Sequence, residues 1–121
     1  MTAGMKSEHR YVIAFIAASL RSQSVFTHVH DHDAGAEIPL GGVVSSDQVD
    51  VIEGAARARI SGAPAQLFHH GSQAYINLAV EGDSLSGYDY ASEHHFAGRV
   101  TGSAVQIFDP ETGRYHDFHV N

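Results

Sequence analysis

Three histidines alternate in the run His28-Val29-His30-Asp31-His32-Asp33. In an extended chain alternate side chains share one face at about 6.5–7 Å per pair, close enough for two imidazoles to meet one ion. Imidazole suits zinc, nickel, copper and iron, and Glu37, across the following turn, could add a carboxylate. His28, His30, His32 and Glu37 are therefore a candidate site for Zn, Ni or Cu. The competing reading is the solvent side of a strand, in a chain that uses His freely.

A second constellation is periodic. Asp31, Glu53, His69, Asp89 and Asp109 recur at steps of 22, 16, 20 and 20 residues, each before a turn. A ring of carboxylates at one end of a barrel could hold a cation. An Asp before a turn also accepts hydrogen bonds from the turn's own N–H groups. Recurrence favours the turn, because a turn device is needed in every copy and a site only once.

Other chemistry finds less support. Ser, His and Asp are plentiful, yet no Gly-x-Ser-x-Gly elbow gathers them, and a triad is a matter of geometry. No phosphate-cradling Gly-rich loop or dinucleotide fingerprint is present. The chain contains no Cys, which excludes disulfides, thiolate catalysis and Cys-based metal centres. His30-Asp31-His32 with Glu37 imitates the first metal motif of cupins. No later Gly-rich stretch supplies the second motif, so a cupin oxygenase or isomerase is rejected.

The elements that must position these residues are written in a repeat. Shifting the chain by forty residues aligns 59–80 with 99–120 without a gap, pairing Ile60 with Val100, Leu67 with Ile107, Phe68 with Phe108 and Tyr75 with Tyr115. A half-period yields five units, 29–40, 51–62, 67–78, 87–98 and 107–118. Two positions before each marker stand Val29, Val51, Leu67, Gly87 and Ile107; four before stand Thr27, Val49, Ala65, Leu85 and Val105. A period of two puts these on one face. Each unit is thus a hairpin with one buried side. In Asp109-Pro110-Glu111-Thr112-Gly113, Pro110 presets φ and Gly113 can take positive φ; Gly35, Gly54 and Gly71 hold neighbouring turn positions. The recurring aromatics could stack on a sugar or peptide, but cross-strand packing explains their period.

The fold expected is mostly β: an N-terminal α-helix, then five β-hairpin repeats. About ten short antiparallel strands form a curled or closed barrel-like sheet that hides its edges. One domain spans 1–121, with the helix in 1–22 and the hairpins in 24–121. Tyr11–Leu20 is apolar on most sides, as a helix covered by a sheet would be, with Ser7 as its N-cap. It is expected to cover the open face or end of the sheet. The units GYDYASEHHFAGRV and VQIFDPETGRYHDFHV resemble those of small uncharacterised bacterial proteins with an N-terminal apolar helix and repeated Tyr-Asp-Tyr hairpins. The resemblance implies the fold and no established reaction.

Seven Lys/Arg against fourteen Asp/Glu leave a net charge of −7, an acidic balance that argues against nucleic acid as a partner. Tyr11–Leu20, ten largely apolar residues, is far short of the roughly 20 that span a bilayer. The chain reads as cytoplasmic, or as secreted or periplasmic if residues 1–20 act as a signal. The leading functional expectation is a non-enzymatic binding or structural module for a protein or small ligand, because no unit looks specialised for catalysis. The alternative is a transition-metal protein centred on His28, His30, His32 and Glu37. A hydrolase using the acidic ring stands third. The apolar helix could also pack in a homo-oligomer.

Overall fold

The computed structural model describes residues 5–54 and 57–121. Helix α1 (Ser7–Ser22) precedes ten strands: β1 (His28–Asp31), β2 (Ala36–Val44), β3 (Val49–Glu53), β4 (Ala58–Ala63), β5 (Gln66–His69), β6 (Ala74–Glu81), β7 (Ser84–Asp89), β8 (His94–Thr101), β9 (Ala104–Asp109) and β10 (Arg114–Val120). Each strand pairs antiparallel with its sequence neighbours, and β1 returns to β10 to close a barrel. Closure removes the free edges that an open sheet would expose. The odd-numbered strands all run one way, so their terminal markers Asp31, Glu53, His69, Asp89 and Asp109 gather at one rim.

Alternation makes the strands. Val29, Val51, Leu67 and Ile107 are fully buried, as are Val49, Leu85 and Val105, and their sequence neighbours face outward. Thr27 and Ala65 were expected on the same inner face and are exposed instead. β1 begins at His28 and β5 at Gln66, so both residues lie in connections where the period of two does not yet apply. Gly87 takes the inner position that Val or Leu holds elsewhere. A Cβ there would lie 1.9 Å from the Asn77 carbonyl oxygen and 2.6 Å from Cζ of Phe96, its cross-strand partner. Phe96 fills the volume that Gly87 leaves. The repeat extends to the outer face: Phe68 meets Tyr75 at 4.9 Å and 61°, and Phe108 meets Tyr115 at 5.1 Å and 61°.

The helix is a correction to the expectation. A closed sheet has no open face to cover, and α1 runs through the barrel interior. Val12, Ile13, Ala14, Ile16, Ala17 and Ala18 are wholly shielded and Phe15 is 2% exposed, a consecutive run that covers every side of the helix. It packs against β1, β2, β6, β8, β9 and β10, and helix and strand side chains form one hydrophobic cluster. Ala14, Ala17 and Ala18 keep the plug slim enough for ten strands to close around it. Ser7 is the first helical residue and not the N-cap; Lys6 occupies that position and supplies no side-chain cap. Residues 1–4 of the expected 1–22 segment lie outside the described residues. At the far end Gln23 adopts φ 53° and its N–H donates to the Ser19 carbonyl at 2.9 Å. Among the described residues no helix is long and apolar enough to cross a membrane.

The turns share one device. The residue four after each marker has positive φ: Gly35 (62°), Arg57 (56°), Gln73 (55°), Glu93 (60°) and Gly113 (69°). In three units its N–H donates to the marker's carbonyl at 2.8 Å: Gly35 to Asp31, Glu93 to Asp89 and Gly113 to Asp109. Gly113 thus behaves as its sequence predicts.

Candidate functional site

The marker rim surrounds the start of α1. The unpaired N–H groups and partial positive charge of a helix N-terminus favour acids there. All three Asp markers accept from their own turn through Oδ1, and Asp89 Oδ2 also accepts from the Ser92 hydroxyl at 2.9 Å. Asp31 Oδ1 accepts from the N–H groups of Asp33 (2.9 Å) and Ala34 (3.3 Å), Asp89 Oδ1 from that of Ala91 (3.3 Å), and Asp109 Oδ1 from that of Glu111 (3.0 Å). This is the Asx-turn that the sequence pattern predicts.

The same carboxylates also grip the helix, which the pattern does not reveal. Asp109 Oδ2 accepts from the Met5 N–H at 2.9 Å and lies 3.7 Å from the Arg10 guanidinium. Asp31 Oδ2 accepts from the Tyr11 hydroxyl at 2.9 Å. Burial, the bond to Asp31 and the charge of Asp31 together raise the Tyr11 pKa, against smaller opposing effects of Ser7 and Arg10.

His9 belongs to the same arrangement. Its Nδ1 lies 2.9 Å from Asp89 Oδ1 and its Nε2 lies 2.6 Å from Ser72 Oγ. Burial acts to raise the Asp89 pKa, but hydrogen bonding to and charge on His9, with the bonds from Ser92 and Ala91, outweigh it and leave the carboxyl below its ordinary value. The order Ser72–His9–Asp89 is that of a serine-nucleophile relay. Here it joins the turns of two hairpins to the helix, and both His9 and Asp89 are completely shielded.

The remaining two markers stand apart. His69 Nδ1 accepts from the Ser72 N–H at 3.2 Å, imitating the Asp turns. Its Nε2 points toward Glu53 Oε1 at 3.9 Å, beyond hydrogen-bonding range, and neither atom has a hydrogen-bond partner. The His69 and His9 rings lie 4.7 Å apart. Glu8, in the first turn of α1, completes a group of three potential metal ligands with Glu53 and His69. Their ligand atoms lie within 4.8 Å of one another.

The histidine cluster singled out in the sequence lies on the barrel exterior. His28 and His30 are half-buried, His32 and Glu37 are exposed, and they alternate with buried Val29 and Asp31. His30 Nδ1 meets Glu37 Oε1 at 3.1 Å, and its ring lies 5.0 Å from that of His32. His28 Nδ1 instead meets the hydroxyl of Thr27 at 2.9 Å. Across the closing seam His30 is the direct partner of His119 on β10. His119 was invisible as a neighbour because 89 residues of sequence separate the two, and only barrel closure joins them. A shallow depression of about 400 Å³ borders His32, Asp117 and His119.

Sequence reasoning also missed Glu8, His9, Tyr11 and Ser72. For Glu8, His9 and Tyr11 the signal was present, because polar groups on a helix whose body is apolar on most sides need partners within the fold; Ser72 lies in the turn between β5 and β6, where nothing in the pattern marks it. No family model, curated protein or solved structure matches this chain.

Proposed function

We propose that the protein is a non-enzymatic binding module whose exterior histidine row takes a divalent transition-metal ion. The observation that carries this reading is the cross-strand register Glu37–His30–His119 over β2, β1 and β10. Directly opposed residues of an antiparallel pair place their Cβ atoms about 4.5–5.5 Å apart, so two imidazoles can share one ion. The contact between His30 Nδ1 and Glu37 Oε1 fits a carboxylate that fixes the ring and leaves Nε2 as the ligand. Glu37 then acts as an orienting group, with His30 and His119 as the ligands and His28 and His32 beside them on the same face.

The filled interior supports a module without catalysis. The helix occupies the barrel lumen, and the Asp markers are engaged by turn and helix donors. The aromatic rings outside are packed edge to face in cross-strand pairs, which suits sheet stabilisation better than a flat stacking platform.

The test is calorimetric titration of tag-free protein with Zn²⁺, Ni²⁺ and Cu²⁺. His30→Ala with His119→Ala is expected to weaken binding by roughly tenfold or more, and Glu37→Gln to weaken it by roughly tenfold. Unchanged affinity in the double variant would overturn the reading.

A further inference from the structure

The exterior row leaves unexplained the unpartnered atoms of two marker side chains, Glu53 and His69. A buried polar atom without a partner is uncommon in a folded protein, because it has lost its water and gained nothing in return. Here two such atoms face each other. Glu53 is 6% exposed and His69 is fully shielded, with Glu53 Oε1 and His69 Nε2 separated by 3.9 Å. Glu8, the third member, sits on the helix and not on the barrel wall, where it is half-buried.

We infer that Glu8, Glu53 and His69 form a second, buried metal site for a divalent first-row cation of the zinc class. Two carboxylate oxygens and one imidazole nitrogen are a donor set such ions accept, and a cation would neutralise the two acids while partnering both orphaned atoms. The partly exposed side of Glu8 supplies the way in. The site differs from the exterior row in residues, burial and position. It bridges α1 to β3 and β5, so an occupied site fastens the helix start to the wall in the one sector where no marker hydrogen-bonds the helix.

The hydrogen bonding around His69 specifies how the ion must bind. Without metal, the Ser72 N–H donates to Nδ1, so the neutral ring carries its proton on Nε2. A cation on Nε2 takes the place of that proton, which moves to Nδ1 with no change in the charge of the ring. Nδ1 then no longer accepts, and the Ser72 amide must turn away. Metal occupancy is thereby linked to one backbone amide that does not touch the ion.

The experiment uses the full chain, tag-free and stripped with chelator, in the His30→Ala/His119→Ala background that removes the exterior ligands. Zn²⁺ is added while the thermal midpoint and the amide NMR spectrum are followed. The expected result is a saturable rise in the midpoint together with a displaced Ser72 amide resonance. Both are expected to be lost in Glu53→Gln, or to require at least about tenfold more zinc. If Glu53→Gln does not fold, Glu8→Gln, on the accessible side, makes the same comparison. An unmoved Ser72 resonance, or the same zinc response in the Glu variants as in their parent, would overturn the inference. Because the background lacks the exterior ligands, either outcome is separate from that of the exterior row.

Discussion

His9 and Asp89 come from opposite parts of the chain, helix and fourth hairpin, and meet at 2.9 Å with both side chains wholly shielded from solvent. Removing one partner of a buried pair leaves the other without compensation, so Asp89→Ala should cost about 3–5 kcal/mol at neutral pH. The Asp89 carboxyl is held below its ordinary value of 3.8, so its contribution is complete above that pH and is lost as pH falls through the lower folded-state value. Urea midpoints of wild type and Asp89→Ala should therefore differ clearly at about pH 5 and draw closer as pH falls below about 4. A difference that persists undiminished in strong acid would show that ionised Asp89 is not what stabilises the helix start.

Glu93 occupies a left-handed position that Gly35 and Gly113 fill in sister hairpins. A side chain there costs about 1–2 kcal/mol, offset in part by the extra unfolded-state freedom of glycine. Glu93→Gly should raise stability by about 0.5–1 kcal/mol. Chemical denaturation measures it, and a loss of stability would contradict the turn geometry.

Ser72 stands at the head of a hydrogen-bonded Ser–His–Asp order, yet His9 and Asp89 hold the helix in place. Treatment with a fluorophosphonate, which phosphonylates activated serines as the serine oxygen attacks phosphorus and fluoride leaves, should leave Ser72 unlabelled by mass spectrometry. Stoichiometric labelling of Ser72 would refute the non-enzymatic reading directly.

Seven histidines, His28, His30, His32, His70, His94, His95 and His119, lie on the exterior, whereas His9, His69 and His116 are buried. Protonating all ten would carry the net charge from −7 to +3, but protonating only the seven outer ones brings it to zero. Self-association should therefore rise between about pH 7 and 5.5, as the net charge approaches zero and repulsion between molecules weakens. Sedimentation velocity across that interval tests this, and an unchanged distribution would count against it.

The fold was largely legible because period-two alternation and the forty-residue repeat are local signals. Leu67 and Ile107, aligned by the repeat, are both fully buried at equivalent places on β5 and β9. The turn role of Asp31, Asp89 and Asp109 was legible for the same reason, since acceptor and donors are two or three residues apart. The helix location was not. An all-round apolar helix is consistent with any buried setting, and only closure of β1 on β10 forces it inside. The candidate sites suffered likewise: His30 with His119, and Glu8 with Glu53 and His69, are contacts that exist only once the barrel has closed around its helix.

Helix α1 threads the barrel, and native-state hydrogen exchange on the amides of Val12, Ile13, Ile16 and Ala17 tests that arrangement most directly. A helix enclosed by the strands can release its amides only when the barrel opens. These four should therefore exchange as slowly as those of Leu67 and Ile107, through global unfolding. Fast exchange of the helix while the strands stay protected would contradict the threaded arrangement.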